Sequence, residues 1–179
     1  MRFTATFALP LLLSSVTAFV IPQGQADGAY SVQLDSRGNE IHARLSDAPE
    51  ISVREASPLV ARAVQSYCGC GIGLNAGDTD AANADLVSQL GRGSNIGAHL
   101  AYYSKRGGVV AFACNLSGGT KLFAGDAIGQ NNAQITASCG RYIAGSRGEP
   151  GNWATGYMRT SENGGNFCGA ALSSGAHNC

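Results

Sequence analysis

Charge is scarce in this 179-residue chain: 13% of residues are charged, and 12 Lys and Arg balance 12 Asp and Glu. A formal net charge of zero gives no global field to collect phosphate backbones or anionic lipid, which argues against a nucleic-acid binder working by bulk charge. Histidine is limited to His42, His99 and His177, tryptophan to Trp153, and cysteine is absent before Cys68. There is no H-E-x-x-H and no G-x-S-x-G, and the glycines of Cys68-Gly69-Cys70-Gly71-Ile72-Gly73 lack the strand-to-helix context of a nucleotide loop. Long apolar runs are missing too. The only one, Phe3 to Leu13, is broken by Pro10 and falls short of the roughly 20 residues that a spanning helix needs.

That run follows Arg2 and leads into Ser14, Ser15, Val16, Thr17 and Ala18, the pattern of a secretory signal peptide cleaved after Ala18. The reading outweighs a membrane anchor, and it predicts a secreted, extracellular product. Beyond it, residues 19–66 hold four Arg, six acids and no cysteine, whereas residues 67–179 hold all six cysteines. The expected organisation is a signal peptide (1–18), an acidic leader or pro-segment (19–66) and a disulfide-stabilised domain (67–179).

Within the leader, Tyr30, Val32 and Leu34 alternate before Asp35-Ser36-Arg37-Gly38-Asn39, and Ile41, Ala43 and Leu45 alternate after it, a hairpin pattern. A lone hairpin is marginal in water, so it either docks on the rest of the molecule or belongs to a segment that is removed. Residues 46–66, with Pro49 and Pro58, suit an exposed linker that a protease could enter, for example after Arg62.

In the cysteine-bearing part, Asp78-Thr79-Asp80 opens a helical run with Ala81, Ala82, Leu86, Val87 and Leu90, closed by Gly91. Asp78 or Thr79 is the expected cap. A calcium loop fails because Asn83 and Gln89 stand where an EF-hand needs Gly and Glu. Residues 98–103 and 109–114 read as a hairpin about Ser104–Gly108, residues 121–124 as a short strand, and residues 126–138 as a second helix capped by Asp126. Residues 141–144 and 153–159 read as two further strands joined by a Gly-rich loop. The predicted fold is α+β, a small antiparallel sheet with two helices on one side.

Six cysteines in an exported chain predict three disulfides among Cys68, Cys70, Cys114, Cys139, Cys168 and Cys179, with the pairing open. Zinc on Cys68 and Cys70 with His99 or His177 is the weaker alternative, and no cofactor or metal is expected. Asn115-Leu116-Ser117 is a candidate glycosylation site. Tyr102, Tyr103, Trp153 and Tyr157, together with Phe167, form a candidate binding surface, against the plainer expectation that aromatics on paired strands belong to the core. For an enzyme, Glu149 and Glu162 with His99, Arg141, Arg147 and Arg159 would have to meet in one cleft. No sequence spacing brings them together, so no catalytic residue is assigned.

The order of features resembles that of fungal small secreted cysteine-rich proteins of the effector or elicitor kind. The resemblance rests on the stretch from Gly28 to Leu45, C-G-C-G at Cys68–Gly71, L-N-A-G-D-T-D at Leu74–Asp80, C-G-R-Y-I-A-G at Cys139–Gly145 and W-A-T-G-Y-M at Trp153–Met158. It implies a non-enzymatic interaction protein acting outside the cell on a host or a microbial competitor, and a homodimer in some members. The alternative is a small secreted hydrolase or nuclease toxin, related to killer-toxin-like α/β sandwiches.

Overall fold

The computed structural model describes residues 19–45, 64–160 and 167–171, without the side chains of Cys70 and Ala170. The expected signal peptide, most of the expected linker, Glu162, His177 and Cys179 lie outside these residues. Strands β1 (Gly28–Leu34), β2 (Glu40–Arg44), β3 (Gln65–Gly73), β5 (Ala101–Arg106), β6 (Val109–Asn115), β8 (Ile143–Glu149) and β9 (Trp153–Arg159) build one sheet. Its order is β2-β1-β5-β6-β9-β8-β3, and every pairing is antiparallel. A second, two-stranded sheet joins β4 (Ser94–Ile96) to β7 (Lys121–Phe123). The helices are α1 (Ala76–Leu90), α2 (Gly125–Cys139) and α3 (Phe167–Ala171).

The strand alternation decides where the core sits. On β6, Val109, Ala111 and Ala113 face α1 and α2 and pack with Leu86, Leu90, Ile128, Ile135 and Tyr157. Val110, Phe112 and Cys114 face the other way, onto Phe19, Tyr30, Tyr103, Phe167 and Cys168. β6 is therefore buried along its whole length, as expected of a strand covered on both faces. A mixed α+β fold with two helices on one side is thus present. The sheet is larger than expected and its second face carries α3.

Two causes account for the enlargement. The leader hairpin docks: β1 pairs with β5 from Gly28 opposite Lys105 to Val32 opposite Ala101, so residues on both sides of the expected boundary at 66 share one sheet. In addition, β3, a glycine-rich segment with no apolar alternation, pairs with β8 from Gln65 opposite Gly148 to Cys68 opposite Gly145. A Cβ on Gly145 would meet Ile135 and the Tyr67 carbonyl, so its missing side chain is what lets α2 and β3 approach.

Both helix starts differ from expectation. Asn75, not Asp78 or Thr79, caps α1, its Oδ1 accepting the Asp78 amide at 3.0 Å, while Thr79 Oγ1 donates back to the Asn75 carbonyl at 2.7 Å. Asp126 lies inside the first turn of α2, whose N-cap is Ala124 with no side-chain cap bond. The stop at Gly91 is as expected, with φ at 50°. The hairpin between β5 and β6 turns on Gly107-Gly108 alone, and the expected loop after residue 144 is mostly strand, through Glu149.

Two disulfides are present among the described residues. Cys68–Cys139 fastens β3 to the end of α2, and Cys114–Cys168 fastens β6 to α3. Cys70 and Cys179, the other two cysteines expected in disulfides, lie outside the described side chains.

Candidate functional site

Helices α1 and α2 run antiparallel across the sheet. The Gly125 amide donates to the Gly91 carbonyl at 2.9 Å where α1 ends and α2 begins. A Cβ on Gly125 would collide with the Val87 carbonyl, so this contact requires glycine. Halfway along, Asn132 Nδ2 donates to Asn83 Oδ1 at 3.0 Å. Along this seam, where Ala84, Gly129 and Ala133 are small, lies a solvent-open groove of about 360 Å³, within the lower range of ligand-binding clefts.

Tyr157 on β9 lines this groove from the sheet side. It is buried, its hydroxyl lies 3.1 Å from Thr136 Oγ1, and burial pushes its pKa above the ordinary tyrosine value. The far wall comes from the turn after α2. Gly140 ends that helix, and Tyr142 follows at φ 57°, a left-handed conformation that costs a bulky residue roughly 1–3 kcal/mol. Its neighbours hold it there: the Leu74 amide donates to the Tyr142 carbonyl at 2.8 Å, and the Tyr142 hydroxyl donates to Asp80 Oδ2 at 3.0 Å. Arg141 donates to the same hydroxyl at 3.1 Å, with its guanidinium carbon 4.9 Å from the Tyr142 ring centre.

The groove therefore offers amides, hydroxyls, a carboxylate, a guanidinium and two tyrosine rings. Its lining includes neither histidine nor cysteine. Such a set can donate and accept hydrogen bonds and present aromatic surface.

Residues expected to form a site are scattered. Tyr103 is fully buried on the α3 side, its pKa raised by burial, while Tyr102, Trp153 and Tyr157 point to the helical side. Tyr102 and Trp153 are half-buried against that core, so the four do not make one exposed aromatic patch. Strand alternation separates Tyr102 from Tyr103, which is the plainer core reading. Glu149 is buried in the β8–β9 turn with Asn152 Nδ2 on its carboxylate. Arg147 donates to Ser66 Oγ at 3.1 Å, Arg159 donates to the Gly73 carbonyl at 2.8 Å, and His99 is exposed in the loop after β4. Of the residues expected to form a site, Tyr157 and Arg141 line the groove.

Asn115, the candidate glycosylation site, is fully buried. Its Nδ2 donates to the Ile96, Gly97 and Gly119 carbonyls at 2.8, 2.8 and 2.7 Å, and its Oδ1 accepts from the Ser117 amide and hydroxyl at 3.0 and 2.7 Å. The side chain is the hub of two loops, and the folded chain leaves its amide nitrogen no room for a sugar.

Sequence reasoning missed the groove. Asp80 reads in the sequence as part of a helix start and Arg141 as part of a strand, and no local pattern marks Tyr142 as left-handed. Asn75 was findable, as an Asn three residues before Asp78. Comparison with protein-family models, curated proteins and solved structures finds no match.

Proposed function

We propose that this protein is a secreted, disulfide-stabilised recognition protein of the fungal effector or elicitor kind, acting outside the cell on a host or a microbial competitor without chemical turnover. The supporting observation is the groove between α1 and α2, whose wall is a tyrosine held in a costly conformation by Asp80 and Leu74. Backbone strain that neighbouring contacts hold in place concentrates where a surface has work to do. Recognition through amides and rings needs rigidity more than reactivity. The two disulfides bind one end of α2 to β3 and the opposite face of the sheet to α3, which supplies it. The sequence adds the export signal and the resemblance.

The test compares the purified secreted protein with Arg141→Ala and Asn83→Ala, both confirmed as folded by circular dichroism. They are applied to plant tissue and to cultures of competing microbes. The expected result is a response to the parent protein that falls at least tenfold in both variants, with the parent leaving RNA and polysaccharide substrates intact. Turnover of either substrate by the parent protein would replace this reading with that of a hydrolase or nuclease toxin.

A further inference from the structure

The two described disulfides sit in different surroundings. Cys114 is 0% exposed and Cys168 4%, inside the core between β6 and α3. Cys68 and Cys139 are each partly exposed, at the side of the sheet where β3 is the edge strand. The pairing of β3 with β8 is irregular there: the register shifts between Cys68 opposite Gly145 and Gly73 opposite Ile143, and Gly71 within that gap has φ 82°. Main-chain pairing is therefore interrupted beside the bridge.

Only Gly140 and Arg141 separate Cys139 from Tyr142. This short turn is fastened twice to the same stretch of chain, by the bond from Cys139 to Cys68 and by the Leu74 amide, which donates to the Tyr142 carbonyl at 2.8 Å. Tyr142 is left-handed at φ 57°, a conformation that persists only while its surroundings over-determine it. Without the bridge, the hydrogen bonds from Leu74 and to Asp80 would have to hold it alone.

We propose that Cys68–Cys139 is a reducible latch on the groove wall. An external thiol opens it ahead of Cys114–Cys168, and the Gly140–Tyr142 turn then leaves its position while the core on both faces of the sheet stays packed. In the reaction a thiolate attacks one sulfur of the bridge and the other leaves as a thiolate; a second thiol then displaces the first from the mixed disulfide. The bridge gains two electrons and two protons, and two reductant thiols become one disulfide. Access selects the target, since attack needs a reachable sulfur. Arg141 and Tyr142 both line the groove, so reduction dismantles its wall. The effect on recognition rests on the groove being the recognition surface, whereas the order of reduction and the release of the turn do not.

The first experiment treats the native protein with dithiothreitol, quenches it with iodoacetamide over a time course and maps the label on tryptic peptides. Cys139 and Cys114 are each the sole cysteine of their peptide. Cys139 should label at least about tenfold faster than Cys114. The second follows amide hydrogen exchange by NMR in the double variant Cys68→Ser, Cys139→Ser. Its Leu74 amide should accelerate at least about tenfold more, relative to the parent protein, than the Asn115 amide, which donates to the Leu100 carbonyl beside the buried core. Equal labelling rates, equal acceleration of the two amides, an unchanged Leu74 amide or a double variant that does not fold would each overturn the latch. Neither readout involves a groove ligand. A failed tissue assay beside positive results here would therefore reject the recognition reading alone.

Discussion

Asn115 shows how one side chain can decide the geometry of a region. Its five hydrogen bonds are all made in a fully buried position, where an unsatisfied carbonyl is costly. Asn115→Ala removes all five bonds from a fully buried position, so it should lower unfolding free energy by about 2–4 kcal/mol in urea titrations. Asn115→Asp should cost at least as much, since a carboxylate would then face three carbonyl oxygens. The same geometry predicts that the intact mass of the purified protein carries no glycan at this residue. A second residue gives a pH dependence. The Gly107 amide, then the Lys105 ammonium, holds the Asp27 carboxyl below its ordinary pKa. A depressed carboxylate stabilises the fold at neutral pH and loses that contribution as pH falls below about 3.9. Acid titration should therefore destabilise the parent protein more than Asp27→Asn. The difference should be small and should shrink in salt, because the pair is solvent-exposed.

At the level of elements, the disulfides join pieces that local forces would leave loose. Helix α3 has one short apolar face, made by Phe167, Cys168 and Ala171, and isolated helices of this length do not persist in water. Replacing Cys114 and Cys168 together by Ala should lower stability by about 2–4 kcal/mol by the loop-entropy argument, read by guanidinium unfolding. A separate test addresses the meeting of α1 and α2: Gly125→Ala forces a methyl against the Val87 carbonyl and should cost about 1–3 kcal/mol. The elements most visible in the sequence were those whose burial pattern is local. Helix α1 carries its apolar stripe and its closing glycine, β9 is a short run of apolar and aromatic residues, and the leader hairpin is bounded by its Asp35–Asn39 turn. Strand β3 was hidden because its edge position and close approach to α2 favour glycine over the branched side chains that mark a strand. The groove was hidden for a similar reason. Its walls come from α1, α2, the turn at Tyr142 and β9, and only the tertiary arrangement brings them together.

For the whole molecule, the question left by composition is how a glycine-rich chain keeps one shape. It does so by layering: one sheet buried on both faces, two helices across one, and α3 with Phe19 across the other. Intact mass before and after reduction should show a gain of six hydrogen atoms, the fifth and sixth on Cys70 and Cys179. A gain of only four would leave those two thiols outside the framework. Among the described residues no helix is long and apolar enough to cross a membrane.

The sheet's pairing also governs how fast the molecule can form. Val32 meets Ala101 and Ser66 meets Arg147, partners that are remote along the chain, so few native contacts form before large loops have closed. Such architectures fold on a scale of milliseconds to seconds rather than microseconds. During that interval the chain exposes unpaired strands and cysteines that have yet to meet partners remote in sequence.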